Sequence, residues 1–127
     1  MRCRKDGEKT RQRILGVASR LFAEKGYRST THEQIIRLAK VNTAAINYHF
    51  RTKESLYVEA WRTSFTSLLK KYPADGGVPP DADAEERLHG MILSIMRRVS
   101  DTENRVYDII EKERANPTGI LNETIEK

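Results

Sequence analysis

The stretch from Thr30 to Lys53, TTHEQIIRLAKVNTAAINYHFRTK, constrains the fold most, because it predicts two short helices joined by a tight turn. The Thr31 hydroxyl can cap a first helix, and Gln34, three residues on, completes a capping box with it, while Thr30 with Glu33 offers the same box one register earlier. Asn42 is a suitable N-cap for a second helix that runs from Thr43 to about Phe50. The first helix is expected to pack against other elements, because apolar residues recur in it at helical spacing: Ile35, Ile36, Leu38 and Ala39.

The predicted second helix has two different faces. One face carries Ile46, His49 and Phe50, and the other carries Thr43, Ala44, Asn47 and Tyr48. The first set suits packing against the protein. The second set is poor core material but suits a DNA major groove, where amide groups can bond base edges and methyl groups can touch thymine. A solvated helix face is the alternative interpretation.

This region resembles the TetR family of bacterial transcriptional regulators. The run from Asn42 to Phe50 is similar to the N-x-A-A-I-N-Y-H-F recognition helix of one subgroup. The wider pattern is carried by Thr31, Ile35, Ala39, Val41, Ile46, Phe50, Lys53, Glu54 and Leu56. The resemblance implies an all-α fold, in which an N-terminal three-helix helix-turn-helix domain is joined by a long fourth helix to an incomplete helical regulatory domain. The boundaries that we predict are 1–55 for the DNA-binding domain and 56–127 for the rest.

The resemblance also implies which side chains contact DNA. Base-edge or thymine-methyl contacts are expected from Thr43, Ala44 and Asn47, and phosphate contacts from Thr31, Tyr48, His49 and Lys53. The family usually has glycine in the turn where this chain has Lys40, so the turn either avoids left-handed geometry or holds Lys40 in it at an energetic cost. Lys53 follows a predicted Thr52 cap, where the helix dipole disfavours a cation unless an anion such as phosphate is near.

The distribution of charge favours a polyanionic partner for the first half. Residues 1–72 hold 16 Lys/Arg and 6 Asp/Glu, a charge of +10, whereas residues 73–127 hold 7 and 12, a charge of −5. Clustered cations gain affinity for DNA by releasing counterions. Arg2, Arg4 and Lys5 form a candidate DNA-binding arm before a helix predicted to start at Thr10; a solubilising tail is the alternative.

The second half predicts further helices around a linker. Helical periodicity runs from Leu56 through Tyr72, and the non-periodic segment Pro73 to Asp83 is expected to be a flexible loop. Helix resumes from about Ala84 to Ser100, with an apolar face expected to fill a core: Leu88, Met91, Ile92, Ile95, Met96 and Val99. Members of the family continue into more helices than follow here. We therefore expect either a truncated piece of a longer regulator or another way of pairing the last helices.

Two function classes remain open from the sequence. The first is a sequence-specific regulator, a repressor released by a small-molecule effector, that binds a palindromic operator as a homodimer. The second is a truncated fragment that acts as a protein-interaction module with weak or no specific DNA binding. An enzyme is not expected, because His32, His49 and His89 lack ligand spacing and no nucleophile or glycine-rich motif is present. No metal or cofactor is therefore expected.

Cellular location is predicted from what the sequence lacks. No apolar run approaches the ~18 residues that a membrane span requires, and no signal peptide is evident. A single cysteine, Cys3, cannot close an internal disulfide, which indicates a reducing compartment. We therefore expect the protein in the cytoplasm.

Overall fold

The chain folds as a set of helices, with one longer connection between Lys71 and Ala84. A computed structural model describes residues 4–102 and 104–122; of residues 4–6 it describes only the main chain. Within these ranges there are six helices: α1 Arg4–Lys25, α2 His32–Ala39, α3 Thr43–His49, α4 Lys53–Lys71, α5 Ala84–Ser100 and α6 Val106–Ala115. The described chain contains no strand, so the predicted all-α class is confirmed.

The core lies where α1 packs against α2, α4 and α6. Phe22 of α1 is fully buried, and its ring meets the ring of Tyr57 of α4 edge-on at 4.8 Å between centroids. Ile109 of α6 and Leu121 belong to the same buried cluster. The helix-turn-helix region therefore shares its core with residues from the second half of the chain.

The start of α1 differs from the prediction. The helix begins at Arg4, so Thr10 lies within it and does not cap it. Good helix formers such as Arg4, Lys5 and Glu8 precede Thr10 and extend the helix backwards. Arg4 and Lys5, which were predicted to precede the helix, form the first turn of α1, and Arg2 lies outside the described residues.

The predicted loop between α4 and α5 is a series of turns held against α5. Gly76 donates its N–H to the carbonyl of Pro73 at 2.9 Å, and Asp83 caps α5 by accepting from the N–H of Glu86 at 2.8 Å. Gly76 has a φ of 69° and lies so close to the Gly90 main chain that a side chain at either position would collide. Paired glycines thus bring this turn into direct contact with α5.

The apolar face of α5 is exposed, which corrects the expectation that it fills a core. Six of the nine large hydrophobic side chains exposed in the described residues lie on this helix: Leu88, Met91, Ile92, Ile95, Met96 and Val99. The buried side of α5 consists of Gly90 and Ser94, and the Ser94 hydroxyl donates to the Tyr72 carbonyl at 3.2 Å. The helix therefore docks through its small residues and leaves its large apolar ones outside.

Candidate nucleic-acid interface

Local hydrogen bonds fix the limits of α2 and α3. Thr31 accepts from the Gln34 N–H at 3.1 Å, and the Gln34 side chain accepts from the Thr31 N–H at 3.0 Å, which forms the predicted capping box. Asn42 caps α3 by accepting from the Ala45 N–H at 2.8 Å. These side chains satisfy main-chain donors that a short helix otherwise leaves free.

The turn between α2 and α3 holds Lys40 in the left-handed conformation, with φ 57° and ψ 47°. The N–H groups of Lys40 and Val41 both donate to the Ile36 carbonyl, a helix ending that usually has glycine at the left-handed position. Of the two alternatives predicted for this turn, the structure therefore has the one in which Lys40 is left-handed at an energetic cost. The conformation disfavours any residue with a Cβ by about 1–2 kcal/mol.

Helix α3 is anchored on one side and open on the other. Ile46 is fully buried, and Ala45 and Phe50 are nearly so. The predicted base-contacting residues Thr43, Ala44 and Asn47 are all exposed. Because the anchored and open faces belong to one short helix, the core fixes the direction in which the open face points.

The predicted phosphate-contacting residues lie in α3 or at the starts of α2 and α4. Tyr48 is 82% exposed and meets the ring of His49 edge-on at 5.0 Å, while His49 itself is half-buried. Thr31 is exposed at the start of α2, and Lys53 opens α4 behind a Thr52 cap, as predicted. The candidates thus come from three helices.

Lys53 is held by an aromatic ring that the sequence did not indicate. Its Nζ lies 4.1 Å from the centroid of the Tyr27 ring, within cation–π distance. Burial, together with the nearby Arg28 guanidinium, lowers the pKa of Lys53 from its ordinary value. A phosphate placed here would meet an ammonium group whose position the ring already restricts.

Two further residues beside Lys53 went unrecognised in the sequence. Within the described residues the buried Nε2 of His32 has no hydrogen-bond partner, and burial and the Lys53 charge lower the pKa of His32. Arg28 donates to Asn116 Oδ1 at 3.1 Å and to the Pro117 carbonyl at 2.8 Å, which ties the α1–α2 connection to the end of α6. Neither feature has a local signal, since both depend on distant contacts.

Arg11 of α1 supports the end of α3. Its guanidinium carbon lies 5.0 Å from the centroid of the Phe50 ring, and its Nη2 lies 3.4 Å from Glu59 Oε2 of α4. Because a helix rises about 1.5 Å per residue, Arg4 begins α1 roughly 10 Å before Arg11. The first turn of α1 therefore lies about two helical turns before the residue that contacts Phe50.

Two short helices joined by a tight turn, the second anchored through one face and open on the other, define a helix-turn-helix protein. Residues 14–60 match the family model described as "Bacterial regulatory proteins, tetR family". Over these residues the chain is similar to the TetR family. This match covers the residues on which the resemblance was based.

The chain is also similar to individual transcriptional regulators. The chain is 37% identical over 79 residues to the HTH-type transcriptional regulator AcrR of Shigella flexneri, which covers 57% of this chain and 37% of AcrR. It is 34% identical over 58 residues to IcaR of Staphylococcus aureus, described as a negative transcriptional regulator of the biofilm operon icaADBC, covering 46% of this chain and 31% of IcaR. These relatives are named as regulators of transcription.

The fold also matches a solved structure. A putative TetR-family transcriptional regulator from Vibrio parahaemolyticus superposes with a TM-score of 0.70 at 26% identity, over 92% of this chain and 60% of that one. The chain thus spans less than two thirds of each of these three proteins. Among the described residues, every helix is too short or too polar to cross a membrane.

Proposed function

We propose that this chain is a sequence-specific DNA-binding transcriptional regulator that inserts α3 into a major groove. The observation that carries the proposal is the contrast between buried Ile46 and the exposed Thr43, Ala44 and Asn47 on one short helix. An anchored helix can present its side chains to base edges in a fixed orientation. Asn47 would bond a base edge, and Thr43 and Ala44 would contact bases or a thymine methyl group.

The surrounding residues would fix the register on the DNA backbone. Thr31, Tyr48, His49 and Lys53, which lie in α3 or at the starts of α2 and α4, would contact phosphates, which position a protein without selecting a sequence. Arg4 and Lys5, together with Arg2, would extend this contact along the backbone from the start of α1. The charge of +10 on residues 1–72 supports a strong electrostatic component.

The regulator is proposed to act as a repressor in the cytoplasm, released by a small-molecule effector. Repression is supported by the similarity to IcaR, which is described as a negative regulator. A homodimer would place two copies of α3 in successive major grooves of a palindromic operator. An effector would need an apolar lining, and a cleft of about 310 Å³ beside Val78, Pro80 and Met91 offers one.

A titration of fluorescent duplex DNA at two salt concentrations tests the proposal. Binding that weakens steeply between 50 mM and 200 mM salt, and that favours a selected duplex over a scrambled one, is the expected result. An affinity that depends neither on the salt concentration nor on the duplex sequence would contradict the proposal.

The exposed face of α5 carries a second candidate function, a protein-interaction module. Contiguous apolar surface of this kind marks interaction sites in soluble proteins. Under this alternative the face, from Leu88 to Val99, binds a protein and DNA affinity is weak or absent. Light scattering coupled to size exclusion, run beside the DNA titration, separates the two functions: a monomer without salt-dependent affinity for DNA favours the module.

A further inference from the structure

A continuous series of side chains connects Lys53 with the interior of the protein. The Lys53 ammonium lies over Tyr27, whose ring centroid is 4.8 Å from that of Tyr57 at an interplanar angle of 42°. The Tyr57 hydroxyl donates to Glu113 Oε1 at 2.8 Å. The series therefore joins α4, the α1–α2 connection and α6 by direct contacts.

The interior end of this series is rigidly held. Glu113 is 8% exposed and also accepts from the Thr118 N–H at 2.9 Å and from the Gly119 N–H at 3.2 Å. Tyr57 is 1% exposed, so its ring is closely packed among its neighbours. The carboxylate and the phenol thus fix each other.

Tyr27, by contrast, is only half-buried and depends on its neighbours for its orientation. The ring of Phe22 is stacked on it at 6.1 Å, and Tyr57 covers another side. If Tyr57 shifted, the Tyr27 ring would lose the contact that fixes its tilt beneath Lys53.

We propose that Tyr27, Tyr57 and Glu113 are positioning residues for the phosphate contact of Lys53. The inference rests on the proposed DNA-binding function. A lysine side chain has four rotatable bonds, and ordering them opposes phosphate binding. The Tyr27 ring restricts the ammonium before DNA arrives, and the Tyr57–Glu113 pair holds that ring in place.

Variants at the ring give the first test. Tyr27→Leu removes the aromatic face and is expected to raise the Kd for DNA about 2- to 5-fold, the size of an exposed cation–π contact. Tyr27→Phe keeps the face and serves as the matched control, with affinity unchanged. The effect should be equal for selected and scrambled duplexes, because a phosphate contact carries no sequence information.

A double-mutant cycle with Lys53→Met separates positioning from general damage to the fold. Tyr27→Leu, Tyr57→Phe and Glu113→Gln should each weaken binding in the wild-type background and have no further effect once Lys53 is methionine. Trp61→Phe, a buried change on α4, is the control for stability and should lower the DNA affinity neither of the wild type nor of the Lys53→Met protein. Tyr57→Phe removes only a hydroxyl group, so we expect this variant to fold even if Glu113→Gln unfolds the protein.

An NMR measurement tests the geometry without DNA. The side-chain protons of Lys53 should show an upfield ring-current shift that is lost in Tyr27→Leu and reduced in Tyr57→Phe. Unchanged Lys53 shifts, or equal losses of affinity in both Lys53 backgrounds, would overturn the inference while leaving DNA binding intact. Wild-type protein without salt-dependent affinity for DNA would overturn the proposed function and this inference together.

Discussion

The hydroxyl of Tyr57 donates to Glu113 Oε1 at 2.8 Å across 56 positions of sequence. Glu113 thereby connects α4 and α6 while accepting further hydrogen bonds from Thr118 and Gly119. Burial and the hydrogen bond to Glu113 raise the pKa of Tyr57 well above its ordinary value, so the phenol stays a neutral donor at physiological pH. A buried carboxylate with several donors is therefore one of the interactions that join the two halves of the chain.

Glu113→Gln should lower the free energy of unfolding by about 2 kcal/mol, because its amide NH₂ would face N–H and O–H donors that the carboxylate now satisfies. Urea denaturation near pH 7 measures this difference. Glu111→Gln, an exposed change two residues away on α6, is the control and should have little effect. A midpoint for Glu113→Gln equal to that of wild type would show that the carboxylate contributes nothing.

The contribution of Glu113 should also depend on pH. Burial alone would raise its pKa, but hydrogen bonds from Thr118, Tyr57 and Gly119 outweigh burial and lower the pKa below the ordinary 4.5. A carboxyl whose pKa is lower when folded stabilises the protein above its unfolded pKa and loses that effect as pH falls through the folded value. The stability gap between wild type and Glu113→Gln should therefore be constant above about pH 5.5 and shrink below 4.5. A gap that widens on acidification would contradict this assignment.

Lys40→Gly should stabilise the protein by about 1 kcal/mol, because glycine adopts the left-handed φ of 57° without a Cβ clash. Thermal unfolding should show a rise of about 4 °C for a chain of this size. Arg37→Gly, in the last turn of α2, is the matched control and should destabilise the protein by about 1 kcal/mol. A decrease in melting temperature with Lys40→Gly would show that the lysine side chain contributes more than its backbone strain costs.

Because the apolar face of α5 is exposed, we expect the folded protein to bind apolar dyes. Ile92→Glu and Ile95→Glu should reduce fluorescence of an anilinonaphthalene dye severalfold, because both side chains are about half exposed. Their melting temperatures should stay close to that of wild type, since neither residue is in the core. A cooperative loss of structure in either variant would show that this face is packed in solution.

Local signals in the sequence predicted the caps of the helix-turn-helix, and tertiary contacts decided the rest. The pairs Thr31–Gln34 and Asn42–Ala45 lie within one helical turn, so spacing alone indicated them. The sequence left two conformations open for Lys40, and the structure has the left-handed one, with a φ of 57°. The Tyr27 ring beneath Lys53 was not predictable, because it depends on how α1 and α4 meet.

Helices α5 and α1 show a different limit of prediction from sequence. The period of α5 predicted a helix and an apolar face, but periodicity does not show what lies against that face. The start of α1 was misplaced because Thr10 is a good capping residue type, whereas the helix continues back through Asp6 and Gly7 to Arg4. The charge split between the two halves is a property of the sequence itself, and the polyanionic partner that it favours stays a prediction.

Lys53→Ala should weaken binding to selected and scrambled duplexes by the same factor and reduce the slope of log K against log salt by about 1. The physical reason is the loss of one phosphate contact. Lys70→Ala, an exposed lysine at the far end of α4, is the matched control and should leave the slope unchanged. A change in sequence preference with Lys53→Ala would mean that the side chain contacts a base.

Binding-site selection from a random duplex library, run in parallel with wild-type protein and Asn47→Ala, tests the central claim most directly. The wild type should enrich a palindromic site, and Asn47→Ala should lose about 1–3 kcal/mol of affinity for it while relaxing preference at one base pair per half-site. An Asn47→Ala protein that selects the same site with the same stringency, or a wild type that selects no site, would contradict the assignment of α3 as the element that recognises DNA sequence.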